Sequence, residues 1–368
     1  MPAAHAAPAP VGLSSDETAQ MVDTAAFYFQ KRAQAVTVPG TQAQTSTLAA
    51  SGDDRISKRR LWELRKEMLA LQQQGEQLQG VNGGYSNAEV EVTPGEMVVN
   101  GETATVEVTE DARLYYPNVP EGDPEYEEYS LPHTLTFTKG TDGGWLLDED
   151  KVQTDLTGPG PVTQLTDPTE VAASDSDPEG QLDVGSGTAP ATGTDGDKDT
   201  AIATRAVNAG YNYGKMISYA NKYWRNDNDD YRVYGSDCTN FISQAMLAGG
   251  WKTTAGSFSS RKDNKKWFYG TFATTTSYTW AGAENWYWFA VKHSKRTKSL
   301  NSVWKLLASD VLQADWKRDG VIDHTMIVTK RGSDGEIYLT YHTPSKHNVK
   351  LSTILAKYPN AAWYAHRT

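Results

Sequence analysis

"YGSDCTNFISQAMLAGGW", residues 234–251, holds the one cysteine of a 368-residue chain. A helix that starts at Asp237 or Cys238 puts Phe241, Ile242, Ala245, Met246 and Gly249 on the face shared by Cys238, so the thiol points at whatever that face packs against. Gly249 and Gly250 tolerate a left-handed C-cap, which limits the helix to about three turns. In the first turn a thiolate is stabilised by free backbone N–H groups and by the helix dipole, which is how a cysteine becomes a nucleophile near neutral pH. Asp237 opposes this if its carboxylate lies beside the sulfur; it can instead turn away and cap the helix. The alternative is a small buried cysteine that only fills space. A histidine partner decides between them.

Two of the seven histidines can be placed relative to each other. Aligning "HTMIVTK" with "EIYLTYH" as a hairpin closed by residues 331–335 sets Lys330 opposite Glu336, Val328 opposite Tyr338, Ile327 opposite Leu339 and His324 opposite His342. That register puts both imidazoles on one sheet face, roughly 5 Å apart at Cβ. A thiolate, an imidazole base and a polar residue that orients the imidazole form the constellation for acyl transfer through a thioester. Two solvated histidines on an open sheet face are the bland alternative.

Around this stretch, "TAIATRAVNAGYNYGKMISYANKYW" reads as a long helix and Trp251 to Phe289 as an aromatic-rich irregular region. "SDVLQADW", "DHTMIVTK", "EIYLTYHT" and "AAWYAHRT" read as strands, giving an α+β domain with its helices ahead of an antiparallel sheet. "DCTNFISQAMLAGGW", preceded by "ISYANKYW" and followed by "DHTMIVT" and "YHT", resembles the putative amidase domain of secreted bacterial proteins, a papain-like relative of the NlpC-type and CHAP cell-wall hydrolases. The likeness covers about residues 205–368. It implies a papain-like cysteine hydrolase fold with Cys238 as nucleophile, His324 as general base and His342 as the residue that orients it. Relatives commonly carry Gly-Asp where this chain has Ser309-Asp310, and often Gly before the catalytic histidine, where Asp323 here competes with His342 for the imidazole. The oxyanion is expected at the backbone N–H of Cys238 with Tyr231 or Tyr234 as a side-chain donor. Trp267, Trp280, Trp286 and Trp288 fall where papain-like folds place one wall of the cleft, although a buried aromatic core explains any one of them equally well.

Upstream, "SSDETAQMVDTAAFYFQKRAQAV" and "ISKRRLWELRKEMLALQQQ" carry apolar residues at helical spacing. Alternating strands follow in "AEVEVT", "TATVEVTEDARLYY", "PHTLTFTK" and "GWLLDED". Helices followed by a curved sheet resemble the cone of nuclear-transport-factor-2-like (NTF2-like) proteins. The expected organisation is a disordered export remnant at 1–14, an α+β accessory domain at 15–155, a flexible acidic linker at 156–200 and the papain-like amidase domain at 201–368. The linker's Gly, Pro, Asp, Ser and Thr cannot bury enough surface to offset their ordering entropy.

Residues 201–368 hold 23 Lys and Arg against 12 Asp and Glu, whereas residues 1–200 hold 12 against 34. Oppositely charged halves admit an intramolecular docking of the acidic half onto the basic one. Ala4-His5-Ala6 has the small-x-small form of a signal-cleavage site, which points to export, with an Ala/Pro-rich tail as the alternative, and the resemblance implies a secreted, cell-wall-associated protein. A single cysteine excludes an intrachain disulfide and a thiolate-rich zinc site. "NDNDD" at 226–230 lacks the turn glycine and bidentate glutamate of a calcium loop, and no motif for a metal, nucleotide or other cofactor is present. The reading is a thiol-dependent amide hydrolase acting on peptidoglycan or stem-peptide bonds, with no nucleic-acid partner and no transmembrane segment. Its alternative is a non-catalytic cell-wall binding module with a basic, Trp-rich cleft.

Overall fold

Ser14 starts the first helix: its hydroxyl accepts the Glu17 amide at 3.2 Å, while the Glu17 carboxylate accepts the Ser14 amide at 3.0 Å. The computed structural model describes residues 13–37, 54–154, 160–165, 178–182 and 210–368, and is α+β throughout. It divides into an N-terminal unit of Met1–Pro117, Glu128–Asp155 and Pro161–Leu165, and a C-terminal unit of Asn118–Glu127, Leu156–Gly160 and Thr166–Thr368. The expected export remnant lies outside the described residues up to residue 12.

In the N-terminal unit, α1 (Ser15–Ala35) buries Met21, Ala25, Tyr28 and Phe29, and α2 (Lys58–Asn82) buries Leu64, Met68 and Leu71. Four antiparallel strands follow: β1 (Asn87–Asn100), β2 (Thr103–Tyr115), β3 (Tyr126–Lys139) and β4 (Trp145–Val152). β1 runs further than its alternating stretch predicts, because a bulge between Pro94 and Met97 absorbs the proline. The interior is polar as well as apolar. His133 Nδ1 lies 2.7 Å from Asp150 and Nε2 3.1 Å from Glu110, while Arg32 donates to the Thr163 carbonyl at 3.0 Å.

Thr163 comes from the expected linker, and its hydroxyl also lies 2.6 Å from Tyr129 Oη. A second described piece of that segment, residues 178–182, belongs to the C-terminal unit. Leu182 exchanges backbone hydrogen bonds with Trp363, and the Glu179 carbonyl accepts from Tyr287 Oη at 2.7 Å. The other residues of 156–200 lie outside the described residues, apart from Gly160–Leu165.

The C-terminal unit begins its helices with α3 (Tyr213–Tyr223) and α4 (Cys238–Ala248). α3 is shorter than expected: Asn212 caps it through the Lys215 amide, and the residues before 210 are not described. Two short helices, α5 (Tyr278–Ala281) and α6 (Ala283–Tyr287), precede the sheet. The strands are β5 (Lys298–Ser299), β6 (Val311–Asp315), β7 (His324–Arg331), β8 (Ile337–Tyr341), β9 (Ser345–Lys350) and β10 (Ala362–Arg367), with α7 (Leu351–Lys357) before the last. Their order is β9-β8-β7-β6-β10-β5, antiparallel in each pair from β9 to β5.

Alternation assigns the two faces of this sheet. Val311 and Ile327 pack with Phe241, Ile242 and the helical layer, whereas Leu312, Ala314, Met326, Val328, Leu339 and Tyr341 pack with α7. Trp251, Trp267, Trp280 and Trp286 pack ring against ring on the helical side and are fully buried. None of the described helices is long and apolar enough to cross a membrane.

Candidate active site

Cys238 is the first residue of α4, and the whole run from Cys238 to Met246 is buried. At the other end Gly250 adopts φ +99°, the left-handed stop that the two glycines predict. Cys238 is 1% exposed, and its sulfur lies 3.7 Å from Thr239 Oγ1. Burial pushes the thiol pKa up, against hydrogen bonds with Thr239, Thr325 and Ser236 that pull it down. Thr239 Oγ1 is 2.9 Å from Thr325 Oγ1, so the start of α4 abuts the start of β7 one residue after His324.

The hairpin register differs from the expected one. Ile327 pairs with Thr340 and Val328 with Leu339; beyond a bulge between Val328 and Lys330, Lys330 pairs with Tyr338 and Arg331 with Ile337. The Lys330–Glu336 pairing that supported the other alignment is absent. Glu336 turns inward, where its carboxylate accepts the Ile337 amide at 3.0 Å and bonds Ser352, and the turn is closed by Gly332 N donating to Glu336 O at 2.7 Å. A one-residue shift turns side chains over. His324 therefore shares its face with Met326 and Val328, its ring 5.2 Å from that of Tyr341 and 5.8 Å from that of Trp316. His342 projects to the helical face and stacks on Phe241 at 4.0 Å.

The two histidines are thus not brought together, and His342 does not orient His324 here. His342 Nδ1 donates to Asp237 Oδ2 at 3.0 Å and Nε2 to the Tyr223 carbonyl at 2.8 Å. Nε2 of His324 is buried with no hydrogen-bond partner among the described residues, and burial pushes the ring's pKa down to about 3. Asp323, the other candidate orienter, accepts the Trp316 amide at 2.9 Å; burial raises its carboxyl to about 6.

Of the expected oxyanion donors, Tyr231 stacks on Trp280 and meets Tyr269 edge to face, whereas Tyr234 keeps a buried hydroxyl without a partner among the described residues. Trp267 and Trp286 do not wall a cleft: both are fully buried in the aromatic core, and Trp267 Nε1 donates to Ser243 Oγ at 3.1 Å. Indoles clustered in sequence between helix and sheet fill the gap between those layers instead.

Several residues bonded to Thr325 or His342, or one step beyond them, were not singled out in the sequence. Gln313 Nε2 donates to Thr325 Oγ1 at 3.0 Å, and its Oε1 lies 3.1 Å from His366 Nε2. Burial pushes His366 down to about 3. The signal was available, since Gln313 and His366 sit at alternate positions of two strands that the sequence pattern predicts. Asp227, in the "NDNDD" loop, places Oδ1 3.6 Å from His342 Nδ1. The two aspartates and His342 bring their ligand atoms within 4.8 Å of one another, but the hydrogen bond to Asp237 already accounts for Nδ1.

Residues 210–365 match the model of the putative amidase domain, which supports an amidase-like family for this part of the chain. Two curated relatives come from Bacillus subtilis (strain 168). The uncharacterized protein YhbB is 29% identical over 128 residues, covering 34% of this chain and 40% of that protein. The uncharacterized protein YjcM is 28% identical over 156 residues, covering 40% and 34%. The chain therefore aligns with well under half the length of either relative. Among solved structures, the Kfla4162 protein from Kribbella flavida is 15% identical with a TM-score of 0.25, covering 37% of this chain and 89% of that one. An Ntf2-like protein involved in plasmid conjugation is 12% identical with a TM-score of 0.21, covering 53% and 64%.

Proposed function

We propose that the C-terminal unit is a thiol-dependent amide hydrolase in which Cys238 attacks the carbonyl and His324 takes and returns the proton. The observation that carries this reading is the placement of Cys238 at the first position of a helix whose N-cap residue, Asp237, makes no side-chain capping bond, against the residue that follows His324. Uncapped amides there stabilise both a thiolate and the oxyanion of a tetrahedral intermediate. A base needs a free lone pair. Nε2 of His324 has no partner among the described residues, whereas both ring nitrogens of His342 are engaged.

Burial shapes the chemistry. It raises the thiol and lowers His324, so both are neutral near pH 7 and the proton leaves sulfur as the C–S bond forms. His324 passes that proton to the amine as the C–N bond breaks and the amine leaves; water then opens the thioester, with His324 accepting a proton from the water and returning it to the departing sulfur. His324 faces Trp316 and Tyr341 in this structure, and the proposal requires its ring to turn from them toward the sulfur. The resemblance supports peptidoglycan and stem-peptide amides as substrates and a location outside the cell.

Incubating the full-length protein with purified sacculi and identifying new amine or sugar termini by mass spectrometry tests the reading. Release by the wild type and none by Cys238→Ser or His324→Ala is expected. Equal release by Cys238→Ser would remove cysteine from the mechanism. The near-complete burial of Cys238 favours a second reading, a non-catalytic binding module. That reading predicts alkylation by iodoacetamide no faster than that of free cysteine, and it has lost the Trp267 and Trp286 surface on which it rested.

A further inference from the structure

Resting on the hydrolase reading, we propose that His342 is a positioning residue for the nucleophile: it holds the Asp237 carboxylate away from the N-terminal amides of α4 and so leaves them to Cys238. Aspartate is among the strongest helix N-caps because its carboxylate reaches the first-turn amides. Asp237 occupies the N-cap of α4, yet its side chain makes no capping bond. Its oxygens are committed elsewhere. Oδ2 accepts from His342 Nδ1 at 3.0 Å, and Oδ1 accepts from the Tyr234 amide and from Asn240 Nδ2, each at 2.9 Å.

His342 is itself fixed from behind. Nε2 donates to the Tyr223 carbonyl at the end of α3, and the ring lies nearly parallel to Phe241, one turn along α4. The Asp237 amide completes the clasp by donating to Thr343 Oγ1 at 2.9 Å. The end of β8, the end of α3 and the start of α4 therefore meet on one carboxylate. Were Oδ2 released, Asp237 could swing onto the first-turn amides, take the donors that serve the sulfur and bring a negative charge beside it. A like charge at that range raises a thiol pKa by about one unit and slows alkylation near neutral pH by about tenfold.

Two substitutions separate positioning from packing, because both remove the ring from Phe241. The amide nitrogen of asparagine hangs from Cγ, as Nδ1 does, and can donate to Asp237; that of glutamine sits one atom further out, matching Nε2 and the Tyr223 carbonyl. In the full-length chain, His342→Gln is expected to slow iodoacetamide labelling of Cys238 by about tenfold, His342→Asn to rescue most of that rate, and Asp237→Ala combined with His342→Gln to restore it. Equal slowing by Asn and Gln, or no restoration by Asp237→Ala, overturns the proposal. If the wild-type protein cleaves no amide and its thiol is unreactive, the hydrolase reading fails, while the Asn-to-Gln ratio still decides the link between His342 and Asp237. Should His342→Gln not fold, the ¹⁵N resonance of His342 Nδ1 in the folded wild type decides the same link: an N–H there that is lost in Asp237→Asn supports it, and its absence in the wild type overturns it.

Discussion

Ser309 adopts φ +77°, a conformation that costs a non-glycine residue about 1–2 kcal/mol. Glycine would adopt it without that cost, while the neighbouring Asp310 holds the turn: its buried carboxylate accepts the Leu307 amide and Arg367 Nε, each at 2.8 Å. Both Ser309→Gly and Ser309→Ala lose the hydroxyl, but only glycine relieves the backbone. The glycine variant should be more stable than the alanine variant by about 1 kcal/mol in urea unfolding, and equal midpoints would show that the turn is not strained. At this scale the sequence was legible where one residue type answers one need, as with Cys238 on the buried face of its helix. It was misleading where facing depended on counting. Lys330 and Glu336 look like a cross-strand pair, but the bulge beside Val328 and the inward turn of Glu336 moved the register, and with it His342 to the opposite face.

α3 and α4 approach closely because Gly249 carries no side chain: a Cβ there would lie 2.3 Å from Met216 Cγ, and Met216 is fully buried. Gly249→Ala should therefore destabilise the C-terminal unit by about 1–3 kcal/mol, read as a lower urea midpoint. An unchanged midpoint would mean that Met216 finds another rotamer at no cost. Helices and strands of strong period were predicted correctly in kind, including α1, α2, α4 and the alternating strands of both units. β9 and α7 were missed. "SKHNVK" alternates poorly because Lys346 and Lys350 are buried, and "LSTILAK" follows it with no loop between.

The two units respond oppositely to pH. Burial lowers His324 and His366 from the ordinary 6.5 to about 3, so the unfolded chain binds their protons first and the C-terminal unit loses stability as pH falls from 6.5 toward 3. In the N-terminal unit burial opposes the charge on His133, but hydrogen bonds to Asp150 and Glu110 outweigh it and raise the ring to about 9. Its stabilisation is complete below 6.5 and is lost as pH climbs toward 9. Hydrogen exchange resolved by unit at acid, neutral and alkaline pH checks both slopes, and His133→Gln should flatten the alkaline one. An alkaline slope confined to the C-terminal unit would refute this assignment. Leu182 bears on how the molecule can be taken apart. A fragment starting at residue 200, the boundary that composition offers, would leave the Trp363 backbone on β10 without the neighbour that pairs with it and the Tyr287 hydroxyl without the Glu179 carbonyl. The C-terminal unit's heritable boundary, the place where a shuffled or transplanted gene segment could be cut without loss, must then lie upstream of Pro178.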